Sequence, residues 1–245
     1  MVIYLKSVRL GSIPDPGLYF SSLPAVKSLS GSGLEFNAPV TFFTGDNGTG
    51  KSTLIEAIAV AWGFNPEGGS RNFNFSTRAS HSELCRYITL SRMPVRPRDG
   101  WFLRAESFYN AASRIEELDA IPAAAPKIIE SYGGRSMHEM SHGESFMTLI
   151  LERFGGRGLY ILDEPEAALS PSRQLALLAR IKALCDADSQ FIIATHSPIL
   201  LAYPGAEIYE FGDRGARLTP YRQTLSYTLT RRFISDPESM LRELL

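Results

Sequence analysis

Apolar residues fall along this chain in two rhythms. Val2–Leu10 alternates apolar and polar positions, the period-2 pattern of a strand with one buried face. Val40–Thr44, Leu159–Leu162 and Phe191–Ala194 are instead short runs of apolar and β-branched residues, the pattern of strands covered on both faces. Ser52–Trp62, Ser141–Phe154 and Ser172–Leu184 carry helical spacing. Tyr87–Leu90 and Trp101–Ala105 predict two more strands around a turn containing Pro94, Pro97 and Asp99-Gly100, and Ser107–Leu118 predicts a helix. Strand and helix alternate, which predicts an α/β fold whose sheet is covered on both faces.

The remaining segments read as connections. Gly11–Gly33 is rich in Gly, Pro and Ser and predicts mostly loop or hairpin connection; residues 63–82 predict an exposed polar loop; Ile121–Gly134 reads as a linker or mobile lobe. Near the C-terminus Asp236 caps a last helix with Pro237 at its first position, and its stripe of Met240, Leu241, Leu244 and Leu245 reads as core packing. The 245 residues are 44% hydrophobic with net charge −1, enough for a sizeable core and against a surface coated in positive charge for nucleic acid. A local basic surface at Arg92, Arg96 and Arg98 stays compatible with that balance. Cys85 and Cys185 show no metal-ligand spacing and read as buried reduced thiols. The N-terminus lacks the apolar core of a signal peptide and charges interrupt every apolar run, so the expectation is a cytoplasmic protein without membrane insertion.

Gly45-Asp46-Asn47-Gly48-Thr49-Gly50-Lys51-Ser52 matches the phosphate-binding pattern GxxxxGK[ST] between a predicted strand and a predicted helix. Glycines let the backbone curl so that N–H groups point inward at phosphates, and the following helix turns its positive end to the anion. Asn47, Gly48, Thr49 and Gly50 form the cradle, Lys51 reaches the β- and γ-phosphates, Ser52 supplies a hydroxyl to Mg²⁺, and Thr53 follows in a poorer position. The strand Leu159–Leu162 ends in Asp163-Glu164, at the edge where open α/β sheets bind ligands. Asp163 is placed to support Mg²⁺ and Glu164 to orient or deprotonate an attacking water.

Two further motifs narrow the class. Ser141-His142-Gly143-Glu144-Ser145 opens a helix upstream of the acid strand and resembles the ABC signature, with Met140 and Glu144 at its Leu and Gln positions; Ser141 and Glu144 also make an ordinary capping box. Ala194-Thr195-His196-Ser197-Pro198 follows the next apolar strand and resembles the switch histidine segment. In this order the motifs, spanning residues 45–198, resemble ABC-type ATPases, and DEPEAALSP with TFFTGDNGTGKSTLIEAI resembles small stand-alone ATPases related to SMC heads.

That resemblance implies a single P-loop NTPase domain over residues 1–245, with a mixed β-sheet core and a helical lobe near 107–155. It implies a soluble ATPase that binds ATP and Mg²⁺, closes as an ATP-dependent homodimer around two nucleotides and hydrolyses them. Each site would take Lys51, Ser52, Asp163, Glu164 and His196 from one chain and Ser141 and Gly143 from the other. Two departures stand out. Ser170 holds the position usually occupied by the D-loop aspartate, and Glu106 stands nearest the Q-loop glutamine that gives Mg²⁺ a second contact. No coiled-coil arm separates Lys51 from Ser141. The work driven by ATP, in DNA maintenance, defence or partner remodelling, and a nucleic-acid or protein partner stay open. So do two other readings: a nucleotide-gated module with little turnover, and the ATPase subunit of a transporter. Tyr19 and Phe20 are the candidates for stacking on adenine.

Overall fold

The structure is a computed structural model, and the residues it describes are 2–70, 82–105 and 140–245. In chain order they form β1 (Leu5–Leu10), α1 (Pro24–Lys27), β2 (Leu34–Glu35), β3 (Val40–Gly45), α2 (Lys51–Trp62), β4 (Gly69–Ser70), β5 (Ile88–Arg92) and β6 (Asp99–Arg104). Then come α3 (His142–Arg153), β7 (Gly158–Asp163), α4 (Pro171–Asp186), β8 (Gln190–Ala194), α5 (Pro198–Leu201), β9 (Glu207–Gly212), β10 (Gly215–Leu218), α6 (Leu225–Ser235) and α7 (Pro237–Leu244).

The main sheet has seven strands in the order β10-β9-β3-β8-β7-β6-β4; the five central ones pair in parallel and the edge pairs β10-β9 and β6-β4 are antiparallel. A separate antiparallel sheet holds β2-β1-β5. The apolar runs behave as buried strands should. Ile208, Phe42, Ile193, Leu162 and Leu103 stand in register across the main sheet and enter one core with residues of α3, α4 and α5. Their chain neighbours Phe43, Ile192, Ile161 and Phe102 enter the opposite core, with α2 and the antiparallel sheet. Gln190 staples the two sheets: its side-chain oxygen accepts from Tyr4 N (2.8 Å) and Leu5 N (2.9 Å), and its amide donates to Leu5 O (2.9 Å).

Three expectations need correction. Gly11–Gly33 does connect the antiparallel pair β1 and β2, but it is more than loop: a 3-10 turn at Tyr19–Ser22 and α1 bury Phe20, Ala25, Val26 and Leu29, apolar positions too few to set up a visible period. Both strands flanking the proline-rich turn form, in different sheets: β5 joins β1 and β6 joins β7. The stripe on α7 is not core: Leu241 is 41% exposed, Leu244 69% and Leu245 fully exposed, since α7 packs back on α6 through contacts such as Arg232–Glu243 (2.7 Å). Both cysteines are free, but partly rather than fully buried. The predicted helix at Ser107–Leu118, the linker at Ile121–Gly134, most of the helical lobe and Glu106 lie outside the described residues. Among the described residues no helix is long and apolar enough to cross a membrane.

Candidate active site

The carboxyl ends of the parallel strands converge. Asp163 at the end of β7 stands in register with Arg104 at the end of β6 and Ala194 at the end of β8, and β3 ends beside them in Gly45. Gly45 has φ 129°, and a Cβ there would lie 2.1 Å from Phe211 O, so only glycine lets the chain leave the sheet here. Gly50, at φ 91°, caps α2, and a side chain would press on Leu23 and Ala25 at 3.0–3.3 Å. The N-terminal segment read as loop therefore buttresses the phosphate loop, and Ala25 N–H also donates to Thr49 O (3.0 Å).

Lys51 is 4% exposed, and its ammonium donates to Gly45 O and Asp46 O, each at 2.8 Å. Burial pushes its pKa down, while Glu164, Asp163, Asp46 and Glu166 oppose that shift. Ser52 Oγ lies 3.1 Å from Asp163 Oδ1, so the two expected Mg²⁺ donors share one point at the start of α2. A hydroxyl and one carboxylate suit Mg²⁺, which keeps waters and takes its other oxygens from phosphates. Among the described residues no group of three or more His, Cys, Asp or Glu could hold a metal by protein ligands alone.

Glu164 adopts φ 51°, ψ 52°, a left-handed conformation that costs a residue with a side chain roughly 1–3 kcal/mol and persists only where neighbours fix it. Its N–H donates to Ala194 O (2.9 Å), and its carboxylate lies 3.7 Å from His196 Nε2. Burial, then the Lys51 ammonium, holds the His196 imidazole below its usual pKa, so the ring is neutral at neutral pH. His196 Nε2 and Glu166 Oε2 are buried without a hydrogen-bond partner among the described residues, as expected of groups lining a ligand site.

Behind the acids, Arg104 joins Glu56 of α2 (2.5 Å) and Asp163 (3.4 Å), and Glu56 accepts Ser82 N–H (2.9 Å). The sequence gives little signal of this link, because Glu56 and Asp163 lie far from Arg104 along the chain. Breaking one side of such a buried pair costs about 3 kcal/mol. Arg104→Met is accordingly expected to lower the melting temperature by roughly 6–12 °C, read by calorimetry without nucleotide.

Ser141 caps α3 and is exposed, and its N–H and hydroxyl donate to Glu144 Oε2 at 3.0 and 2.6 Å, which depresses the Glu144 pKa. Arg173 of α4 lies 3.3 Å from the Ser141 hydroxyl and 3.4 Å from Glu144. Gly143 is required by packing, since a Cβ would meet Arg173 Nη1 at 2.4 Å and Ala168 O at 2.8 Å. Ser170 caps α4. Of the adenine candidates, Phe20 is sealed in a small core with Val26, Ala57 and Leu84, while Tyr19 is 65% exposed. Of the basic trio, Arg92 is engaged, lying 4.6 Å over the Trp62 ring and donating to Ala61 O (2.7 Å); Arg96 and Arg98 are exposed.

A parallel sheet with antiparallel edges, a phosphate loop, an acid pair and a following histidine at adjacent strand ends define a P-loop nucleotide-binding domain of ABC type. Comparison with known proteins agrees. Residues 22–93 match an AAA domain family, and residues 128–202 match a family described as "AAA domain, putative AbiEii toxin, Type IV TA system". An "Uncharacterized ABC transporter ATP-binding protein" of Haemophilus influenzae is 28% identical over 196 residues, 71% of this chain and 73% of that one. A solved ATP-binding cassette of an ABC transporter aligns over 97% of both chains at TM-score 0.52 and 16% identity, a likeness of fold alone. An SMC head domain from Thermotoga maritima covers 89% of this chain and 99% of its own at TM-score 0.43 and 16% identity. The fold, the order of the motifs and the sequence matches are those of a P-loop nucleotide-binding domain similar to ABC-type ATPases.

Proposed function

We propose that the chain is a soluble, cytoplasmic ATPase whose two copies close head-to-tail over two Mg-ATP and part after hydrolysis. The observation that carries this reading is the meeting of Lys51, the Ser52–Asp163 pair and the Glu164–His196 pair at neighbouring strand ends. Lys51 would exchange its loop carbonyls for the β- and γ-phosphates. Ser52 and Asp163 would hold Mg²⁺, which neutralises phosphate charge when bound. Glu164 would align and deprotonate the water, and the neutral His196 ring would donate to the γ-phosphate. Ser141 is exposed at a helix N-terminus, and its described partners are Glu144 and Arg173. A hydroxyl so placed suits a γ-phosphate held by another copy. Glu106, outside the described residues, would give Mg²⁺ a second contact.

If two copies build each site, turnover depends on encounter. Phosphate release per chain is expected to rise with protein concentration and level off once dimers dominate; a rate per chain constant over a hundredfold dilution would contradict the shared site. The printed name of the Haemophilus influenzae relative favours a second reading, the ATPase subunit of a transporter. Stoichiometric co-purification with a membrane-spanning protein would establish it.

A further inference from the structure

We propose that Glu166 is a positioning residue whose carboxylate straps the switch loop to the turn carrying Glu164, so that one side chain sets where both Glu164 and His196 meet a terminal phosphate. The inference rests on the ATPase reading above. Glu166 lies in the 3-10 turn Pro165–Ala168, and its Oε1 accepts the His196 backbone N–H at 2.6 Å. Two residues earlier Glu164 N–H donates to Ala194 O (2.9 Å). The turn and the switch loop are thus joined at two points, each two residues from the next. A third lies just beyond: the buried Gln174 accepts from Ser197 Oγ (2.5 Å) and donates to Leu169 O (3.0 Å), while Ser197 Oγ caps α5 by accepting from Ile199 N and Leu200 N.

The strap answers a specific need. A left-handed Glu164 stays in place only if the turn after it is pinned, and the pin must not occupy the catalytic carboxylate itself. Glu166 pins the turn through a backbone amide and leaves the His196 ring free to face the site. The bond is charge-assisted and short, stronger than a neutral side chain would give. Its carboxylate also acts electrostatically on Lys51 and His196, which places it beside the nucleotide pocket rather than in a remote core.

The test compares wild type with Glu166→Gln and Glu166→Ala. Gln keeps an acceptor for His196 N–H; Ala removes it. Hydrogen exchange of the peptide 190–201 without nucleotide reads the strap directly. Exchange is expected to stay within about threefold of wild type in Gln and to accelerate at least about tenfold in Ala. Under Mg-ATP, kcat should fall about 10–100-fold in Ala, with ATP affinity within about threefold because Lys51 and Ser52 are untouched, and Gln should recover most of it. An Ala variant with unaltered kcat and a lower melting temperature makes Glu166 a plain strut and overturns the proposal. A Gln variant as crippled as Ala makes it a proton-transfer group and overturns it too. Should wild type release no phosphate, the ATPase reading fails, and the exchange arm still decides the strap: unaltered exchange in Ala refutes it.

Discussion

Lys51→Ala is expected to erase the thermal stabilisation that Mg-ATP confers on the wild-type protein. A ligand at a hundred times its dissociation constant stabilises the folded state by about 2.7 kcal/mol, which for a chain of this length raises the melting temperature by roughly 5–10 °C. The ammonium is buried and held by two carbonyls of its own loop, in the field of Asp163 and Glu164. It is thus positioned before nucleotide arrives and loses little freedom on binding. Removing it leaves the β- and γ-phosphates facing those acids without a counter-charge, and ATP affinity should weaken at least about a hundredfold. Differential scanning fluorimetry with and without Mg-ATP checks this. Equal shifts in the two proteins would contradict the phosphate-loop assignment.

The parts of this site that were legible in the sequence are those whose chemistry is local. The GxxxxGK[ST] spacing needs only one turn between strand and helix, and it lies where the spacing put it, with Gly45 and Gly50 both at positive φ. The runs ending at Thr44, Leu162 and Ala194 are β3, β7 and β8 to within a residue at their carboxyl ends, because strands buried on both faces leave little ambiguity. Across-chain relations were not legible. Nothing in the spacing shows that Arg104 reaches Glu56 and Asp163, or that Glu166 reaches the amide of a residue thirty positions on. The α7 stripe shows the opposite failure: the period was read correctly, but a period says which residues share a face and not whether anything covers it. At Ser141 the capping-box reading and the signature reading coexist, since the hydroxyl that caps α3 in the single chain is the one a partner's phosphate would claim.

Glu164→Gln is expected to lower phosphate release about a thousandfold while leaving ATP binding intact. The amide keeps the shape of the carboxylate but cannot take a proton from water, so the closed state should form and persist. Ser141→Arg should act in the opposite sense. Loss of a helix cap costs about 1 kcal/mol and leaves the fold standing. Lys51 and Ser52 lie in another part of the chain, so each copy should still bind ATP. A long charged side chain at the exposed tip of α3 would hold the two copies apart and stop both dimerisation and hydrolysis. If Ser141 were only a cap, turnover would survive the substitution.

Molar mass by light scattering on Glu164→Gln, with and without Mg-ATP, therefore tests the shared site most directly when Ser141→Arg is added in the same chain. One copy is expected without nucleotide, two copies with Mg-ATP, and one copy again in the double variant under Mg-ATP. A Glu164→Gln protein that binds Mg-ATP yet stays a single copy, or a double variant that still pairs in Mg-ATP, would contradict the shared site.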